Sequence, residues 1–159
     1  MIMNLKYTII GKFLRWILVS FKKVIHLRDS THQIALGFSI GVSVGILPTF
    51  GFGALILAFL SIVIRFNLFS AIVGTLINNP LLVPFWLVSS YKIGEIITKV
   101  GIDLEGKNLL QNTLDFSISY ITGNIILSLI CGFISYVLMY IIVEVYRSSR
   151  GNLKRQQKD

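Results

Sequence analysis

The chain has 159 residues, of which 54% are hydrophobic and only 14% charged, with a net charge of +8. Soluble domains are usually about 25% charged. That deficit, with a mean hydropathy of +0.77, excludes an ordinary soluble domain and predicts one compact all-α domain embedded in a membrane.

The basic charge is concentrated at the ends. Lys6, Lys12, Arg15, Lys22, Lys23 and Arg28 precede the first apolar run, and Arg147, Arg150, Lys154, Arg155 and Lys158 follow the last. Basic flanks favour the cytoplasmic side, which places both termini there. Anionic headgroups account for these charges more simply than nucleic acid, so no nucleic-acid partner is expected. The N-terminus is not a cleavable signal, because Lys12 and Arg15 interrupt its apolar stretch.

Residues 1–29 form a basic amphipathic segment. At 100° per residue, Asn4, Thr8, Lys12, Arg15, Lys22, Lys23 and His26 fall in one arc. Ile9, Ile10, Phe13, Ile17, Phe21 and Val24 fall opposite, with Trp16 near the boundary. Such a helix is suited to the membrane interface.

The membrane domain is expected over 30–146. Three runs lack Asp, Glu, Lys and Arg: 30–64, 66–91 and 116–143. Each exceeds the roughly 20 apolar residues that span a bilayer core. The first run predicts a helix over 33–47. Gly37, Gly41 and Gly45 form one stripe on it, and Ala35, Ser39 and Ser43 form another beside it. In lipid such stripes let helices approach closely, within the chain or with a second copy.

Pro48 ends this helix, and Gly51 and Gly53 loosen the backbone just beyond it. The second arm, 54–64, is too short to cross a core about 30 Å thick. A re-entrant hairpin with its Pro-Gly tip shielded by protein fits these lengths. Arg65 then belongs at an interface, since an Arg at mid-bilayer costs about 2.5–3.5 kcal/mol on insertion scales. Asn67 is suited to cap a helix over 68–77.

Asn78, Asn79, Pro80 and Pro84 break the second run near its middle. Pro84 is suited to open a helix over 84–99, with Trp86, Tyr91 and Lys92 as interface anchors. Residues 101–115 read as a polar outer loop. Residues 117–146 make one uninterrupted C-terminal transmembrane helix, and 147–159 a disordered basic cytoplasmic tail. Two broken units in one chain resemble the discontinuous segments of transporters.

No catalytic constellation, P-loop or dinucleotide fingerprint is present, so an enzyme is not expected. Cys131 is alone, and His26 and His32 lack a metal-binding spacing; no metal or cofactor is expected. Binding is better supplied. Helix starts after Pro48 and Pro80 would offer partial positive charge to an anion. With Gly51, Arg65, Asn67, Asn78 and Asn79, they make a candidate site for a lipid phosphate, and Arg65, Asn78 and Asn79 are expected to share one cavity.

The run Gly37-Phe-Ser-Ile-Gly41-Val-Ser-Val-Gly45-Ile-Leu-Pro48-Thr-Phe-Gly51, then Arg65-Phe-Asn67-Leu, Asn79-Pro80 and Tyr91-Lys-Ile-Gly94, resembles the bacterial domain of unknown function 2062 family. The likeness covers about residues 30–100. Members often carry a Gln soon after the Pro-x-x-Gly break, where Gly53 and Ala54 stand here. The family brings no assigned activity. It implies a bacterial cytoplasmic (inner) membrane protein, and the fusion of some members to glycosyltransferase domains points toward envelope lipids. Two functions follow as expectations. One is binding or translocation of an anionic envelope lipid at the helix breaks. The other is a non-catalytic scaffold or accessory subunit, whose glycine stripe docks a second copy or an envelope-protein partner. Small-solute transport is a weaker third, because no intramembrane acid is present for proton coupling.

Overall fold

The computed structural model describes residues 9–25, 27, 29–49, 51–101 and 108–156. Among them there are six α-helices and no strand: α1 Ile9–Ile25, α2 Thr31–Ile46, α3 Gly53–Val63, α4 Leu68–Gly74, α5 Val83–Thr98 and α6 Leu109–Gln156. A single 3₁₀ turn, Thr75–Ile77, extends α4. The start of the amphipathic reading, residues 4–8, lies outside the described residues. So do 102–107, in the first half of the expected outer loop.

Local chemistry sets the helix ends. Ser30 and Gln33 form a reciprocal capping box at the start of α2, with Gln33 N donating to Ser30 Oγ at 3.2 Å and Ser30 N to Gln33 Oε1 at 3.2 Å. Leu47 is extended because Pro48 follows, and α2 stops there. Asn67 caps α4 by accepting from Ser70 N at 2.7 Å. Pro84 stands in the first turn of α5, where its missing N–H costs little.

Contact pairs give the helix directions. Gly37, Gly41 and Gly45 face Asn67, Ala71 and Thr75 in the same order, so α4 runs parallel to α2. Ser39 Oγ donates to the Gly132 carbonyl at 2.8 Å, and Ser43 Oγ to the Ser128 carbonyl at 3.0 Å. The order is reversed, so α6 runs antiparallel to α2. Likewise Gly94 meets Ser119 while Gly123 meets Ser90, making α5 and α6 an antiparallel pair. Asn67 N donates to the Gln33 carbonyl at 3.1 Å. The chain leaving α3 is therefore back at the starting end of α2. Together α2 and α3 form a hairpin, and α4, the 3₁₀ turn and α5 run onward past its tip.

Each small-residue stripe of α2 serves one neighbour. A Cβ on Gly37 or Gly41 would collide with the Asn67 or Ala71 carbonyl of α4. The Ala35-Ser39-Ser43 stripe faces α6. One core cluster joins Val24, Ile34, Ala35, Val73, Met139 and Val143; a second joins Val44, Leu57, Phe66 and Ala71. On α1, Val24 is buried while Lys12, Arg15, Trp16, Lys22 and Lys23 are exposed.

Two expectations need correction. Residues 109–115 are the first turns of α6 rather than loop, and the basic tail is helical through Gln156. Leu109–Ser149 is long and apolar enough to cross a membrane by length and composition. Many large apolar side chains face outward, Phe59, Ile62, Ile96 and Phe133 among them.

Candidate functional site

The two helix breaks open at the same end of the α2–α4 pair. The last contact between those helices is Gly45 against Thr75, where an added Cβ would stand 3.1 Å from Thr75 Cα. Leu47-Pro48 follows on one strand of the pair, and Asn78-Asn79-Pro80 on the other.

The breaks differ in how their backbone groups are satisfied. Asn79 Oδ1 accepts from Leu81 N at 3.0 Å and Leu82 N at 3.2 Å, while its carbonyl accepts from Val83 N at 3.1 Å. The side chain thus closes off the N-terminal amides ahead of α5. Asn78 and Pro80 are exposed beside it. At the other break, Gly51 turns the chain with φ +91°, a left-handed conformation that glycine adopts at no steric cost. Phe52 N donates to the Thr49 carbonyl at 2.9 Å, and α3 begins. No side chain caps α3. Its first i→i−4 bond runs from Ile56 N to the Phe52 carbonyl at 3.0 Å. The amides of Gly53, Ala54 and Leu55 come before that bond and form its electropositive end. Ala54, Leu55 and Phe52 are exposed around them.

Arg65 and Asn67 lie elsewhere. Asn67 Nδ2 donates to Asp29 Oδ2, which ties the start of α4 to the start of α2. Arg65 is exposed two residues before it. From Leu68 to Ile77 the chain rises about 15 Å at 1.5 Å per residue. The sequence-predicted set is therefore divided: Pro48, Gly51, Asn78, Asn79 and Pro80 at one end of α4, Arg65 and Asn67 at the other. Arg65 does not share a cavity with Asn78 and Asn79. Gly37, Gly41 and Gly45 lie between the two groups, filled by α4.

Residues 14–152 match the family described as an uncharacterized protein conserved in bacteria (DUF2062). The chain belongs to the DUF2062 family. No curated protein and no solved structure matches it.

Two polar groupings in this DUF2062 chain escape a reading by motif. The first is Asn124, 1% exposed on α6. Its Nδ2 donates to the Ile46 carbonyl at 3.2 Å and to Ser90 Oγ at 3.1 Å. One amide thus joins the end of α2, the middle of α5 and α6. The signal was available, since Asn124 is the sole Asn, Gln or His in the run 116–143. The second lies at the opposite end. Arg147 donates to Thr31 Oγ1 at 3.2 Å and to the carbonyls of Leu27 and Asp29. Thr31 Oγ1 donates in turn to Glu144 Oε2 at 3.0 Å, and His32 Nδ1 pairs with the Tyr136 hydroxyl at 2.9 Å. Among the described residues no group of three or more His, Cys, Asp and Glu could hold a metal ion.

Proposed function

We propose that this chain is a multi-pass protein of the bacterial cytoplasmic membrane that binds or translocates an anionic envelope lipid. In this reading the lipid phosphate sits at the start of α3, beside the paired breaks. The observation that carries it is the uncapped N-terminus of α3 at an exposed tip. Unsatisfied amides cost several kcal/mol each in hydrocarbon, and a phosphate satisfies both the N–H groups and the helix dipole. Asn79 already occupies the amides before α5, so that second helix start is not the phosphate position.

The outward apolar side chains support a lipid environment, since contiguous apolar surface of this extent is rare on soluble monomers. The hairpin's two ends lie together beside Arg147, Lys22 and Lys23, which suits a re-entrant loop entering from the cytoplasmic face. The stretch from α4 through α5 then makes a broken crossing, and α6 the return. Exposed Arg65 stands at the cytoplasmic interface, within reach of headgroups. Single cysteines in a Cys131→Ala background test this topology. Positions 29 and 65 should label from the cytoplasmic face and position 108 from the opposite one. Labelling of 29 and 65 from opposite faces would reject the re-entrant hairpin.

Lipids co-purifying in gentle detergent test the site. Wild type should enrich one anionic lipid. Ala54→Asp should reduce that enrichment about tenfold, because a carboxylate in the first turn of α3 competes for the same amides. An acidic residue in the first turn favours the helix, and an unchanged Tm of the variant separates lost lipid from unfolding. Equal enrichment in wild type and variant would sink the site. The scaffold alternative is weakened, because α4 covers the glycine stripe meant to dock a partner.

A further inference from the structure

The N-terminal half of α6 is covered unevenly. Of residues 114–125, Leu114, Ile118, Ile121 and Ile125 are exposed, and every other is half-buried or buried. The four side chains are between 47% and 55% exposed. Their spacing of four, three and four residues is that of a heptad seam, which keeps one narrow line of a helix facing one neighbour. The flank beside it is closed by α5: Gly94 meets Ser119, and the Tyr91 and Phe116 rings stack at 5.2 Å. Toward the C-terminal end the exposed arc is wide, with Leu129, Ile130, Phe133 and Ile134 all facing outward. A wide arc suits lipid. A single line at heptad spacing suits another helix.

We propose that this seam docks a second copy of the chain, α6 against α6 in parallel. Copies in one membrane share an orientation and a depth. A two-fold axis along the membrane normal then sets each seam residue against its own counterpart. The seam carries no charge, so it offers nothing for an acidic or basic partner to recognise and nothing to repel a like copy. Its position excludes a soluble partner. Phe116 and Tyr120, whose rings lie parallel at 6.0 Å, are aromatic residues of the kind that mark a membrane boundary. The charge-free run 116–143 begins with them. Leu114 therefore stands at the headgroups, while Ile125, about 16 Å further along the helix, lies in hydrocarbon. A partner that pairs with the whole seam must itself be embedded in the membrane. Leu109 and Leu110, 86% and 71% exposed, continue the apolar surface past the boundary. Water there supplies a drive for association that hydrocarbon lacks. The inference rests on α6 crossing the membrane and not on the lipid site.

Single cysteines in a Cys131→Ala background, in proteoliposomes of the full chain, test the pairing. Under mild oxidation, cysteines at 114, 118, 121 and 125 should form disulfide dimers about tenfold faster than cysteines at 113 and 130. Thr113 and Ile130 are exposed on α6 but lie off the seam, so they report chance collision. Leu114→Glu sets two carboxylates side by side, and like charges so placed oppose association. It should cut the dimer fraction, counted by single-molecule photobleaching in bilayers, about tenfold. Leu114 is more than half exposed, so the variant should keep its helix content. Equal rates at seam and control positions would overturn the proposal. Wild type that bleaches in single steps at every protein density would do so too, and would leave lipid along the seam. Dimers that persist in Leu114→Glu would place the interface elsewhere and overturn it equally.

Discussion

An alanine at Gly123 should lower Tm by about 6–12 °C, the shift expected for roughly 3 kcal/mol in a chain of this length. At this point α5 and α6 touch backbone to backbone. A Cβ on Gly123 would run into the Ser90 carbonyl and the Gly94 amide. A Cβ on Gly94 would run into the Ser119 carbonyl. Backbone atoms cannot swing aside as a side chain can, so the helices must separate. Separation breaks the bonds that lock the pair: Asn124 to Ser90 at 3.1 Å, Thr98 Oγ1 with Ser119 Oγ at 3.0 Å, and Ser119 Oγ to the Val100 carbonyl at 2.6 Å. Overpacking usually costs about 1–3 kcal/mol, and here the broken hydrogen bonds add to it. Gly132→Ala is the control. It lies on the same helix, but its added Cβ meets the Ser43 hydroxyl, which can rotate away at the cost of one bond to Ser128. Its loss should be less than half as large. Equal shifts in the two variants, read by size exclusion after heating, would show that the α5–α6 seam is not tightly closed.

The contrast between these glycines shows what a sequence can and cannot convey here. Gly37, Gly41 and Gly45 recur every fourth residue, so a close-packed face is visible without coordinates. That α4 fills it is not visible, because nothing in the spacing names the partner. Gly94 and Gly123 sit on different helices and make a pair only in three dimensions. Pro48 and Asn79 announce their breaks through backbone chemistry that is local. Whether the first break reverses the chain rests on Asn67 N reaching the Gln33 carbonyl, a long-range bond without periodicity. Arg65 and Asn79 are separated for the same reason. Charge counts give no register, and only the parallel run of α4 along α2 puts them at opposite ends. The tail misleads differently. Its Lys, Arg and Gln are good helix formers, yet their charge reads as a solvated coil, while α6 carries on through Gln156. Asn124 is the converse case. Proline neighbours draw the eye to Asn78 and Asn79, whereas a lone amide in an apolar helix is the more expensive residue to keep.

Arg147→Met should loosen the segment between α1 and α2, raising its trypsin cleavage after Arg28 about 30-fold. The guanidinium holds three acceptors at once: the Leu27 carbonyl at 2.9 Å, the Asp29 carbonyl, and Thr31 Oγ1 at 3.2 Å. Two of these are backbone groups between helices, where no ladder would otherwise satisfy them. Hydrogen bonds from a charged donor contribute about 1.5–3 kcal/mol each when buried. Arg147 is only half-buried, so we assign about 2 kcal/mol to the whole clamp, which gives the 30-fold change in the open population. Arg147→Lys should recover little, because one ammonium cannot reproduce a planar fork spanning three acceptors. Glu144→Gln should be nearly neutral, since the amide oxygen can still accept from Thr31. The environment of the assay separates two restraints on α1. Val24 holds its C-terminal end in the core, while its exposed Lys12, Arg15 and Trp16 are suited to headgroups. If headgroups restrain α1, the variant should be cut faster in detergent than in anionic nanodiscs. Equal rates in both media, with wild type resistant in both, would assign the restraint to Arg147 and Val24 alone. Wild type and Arg147→Met cut alike would mean that the clamp restrains nothing.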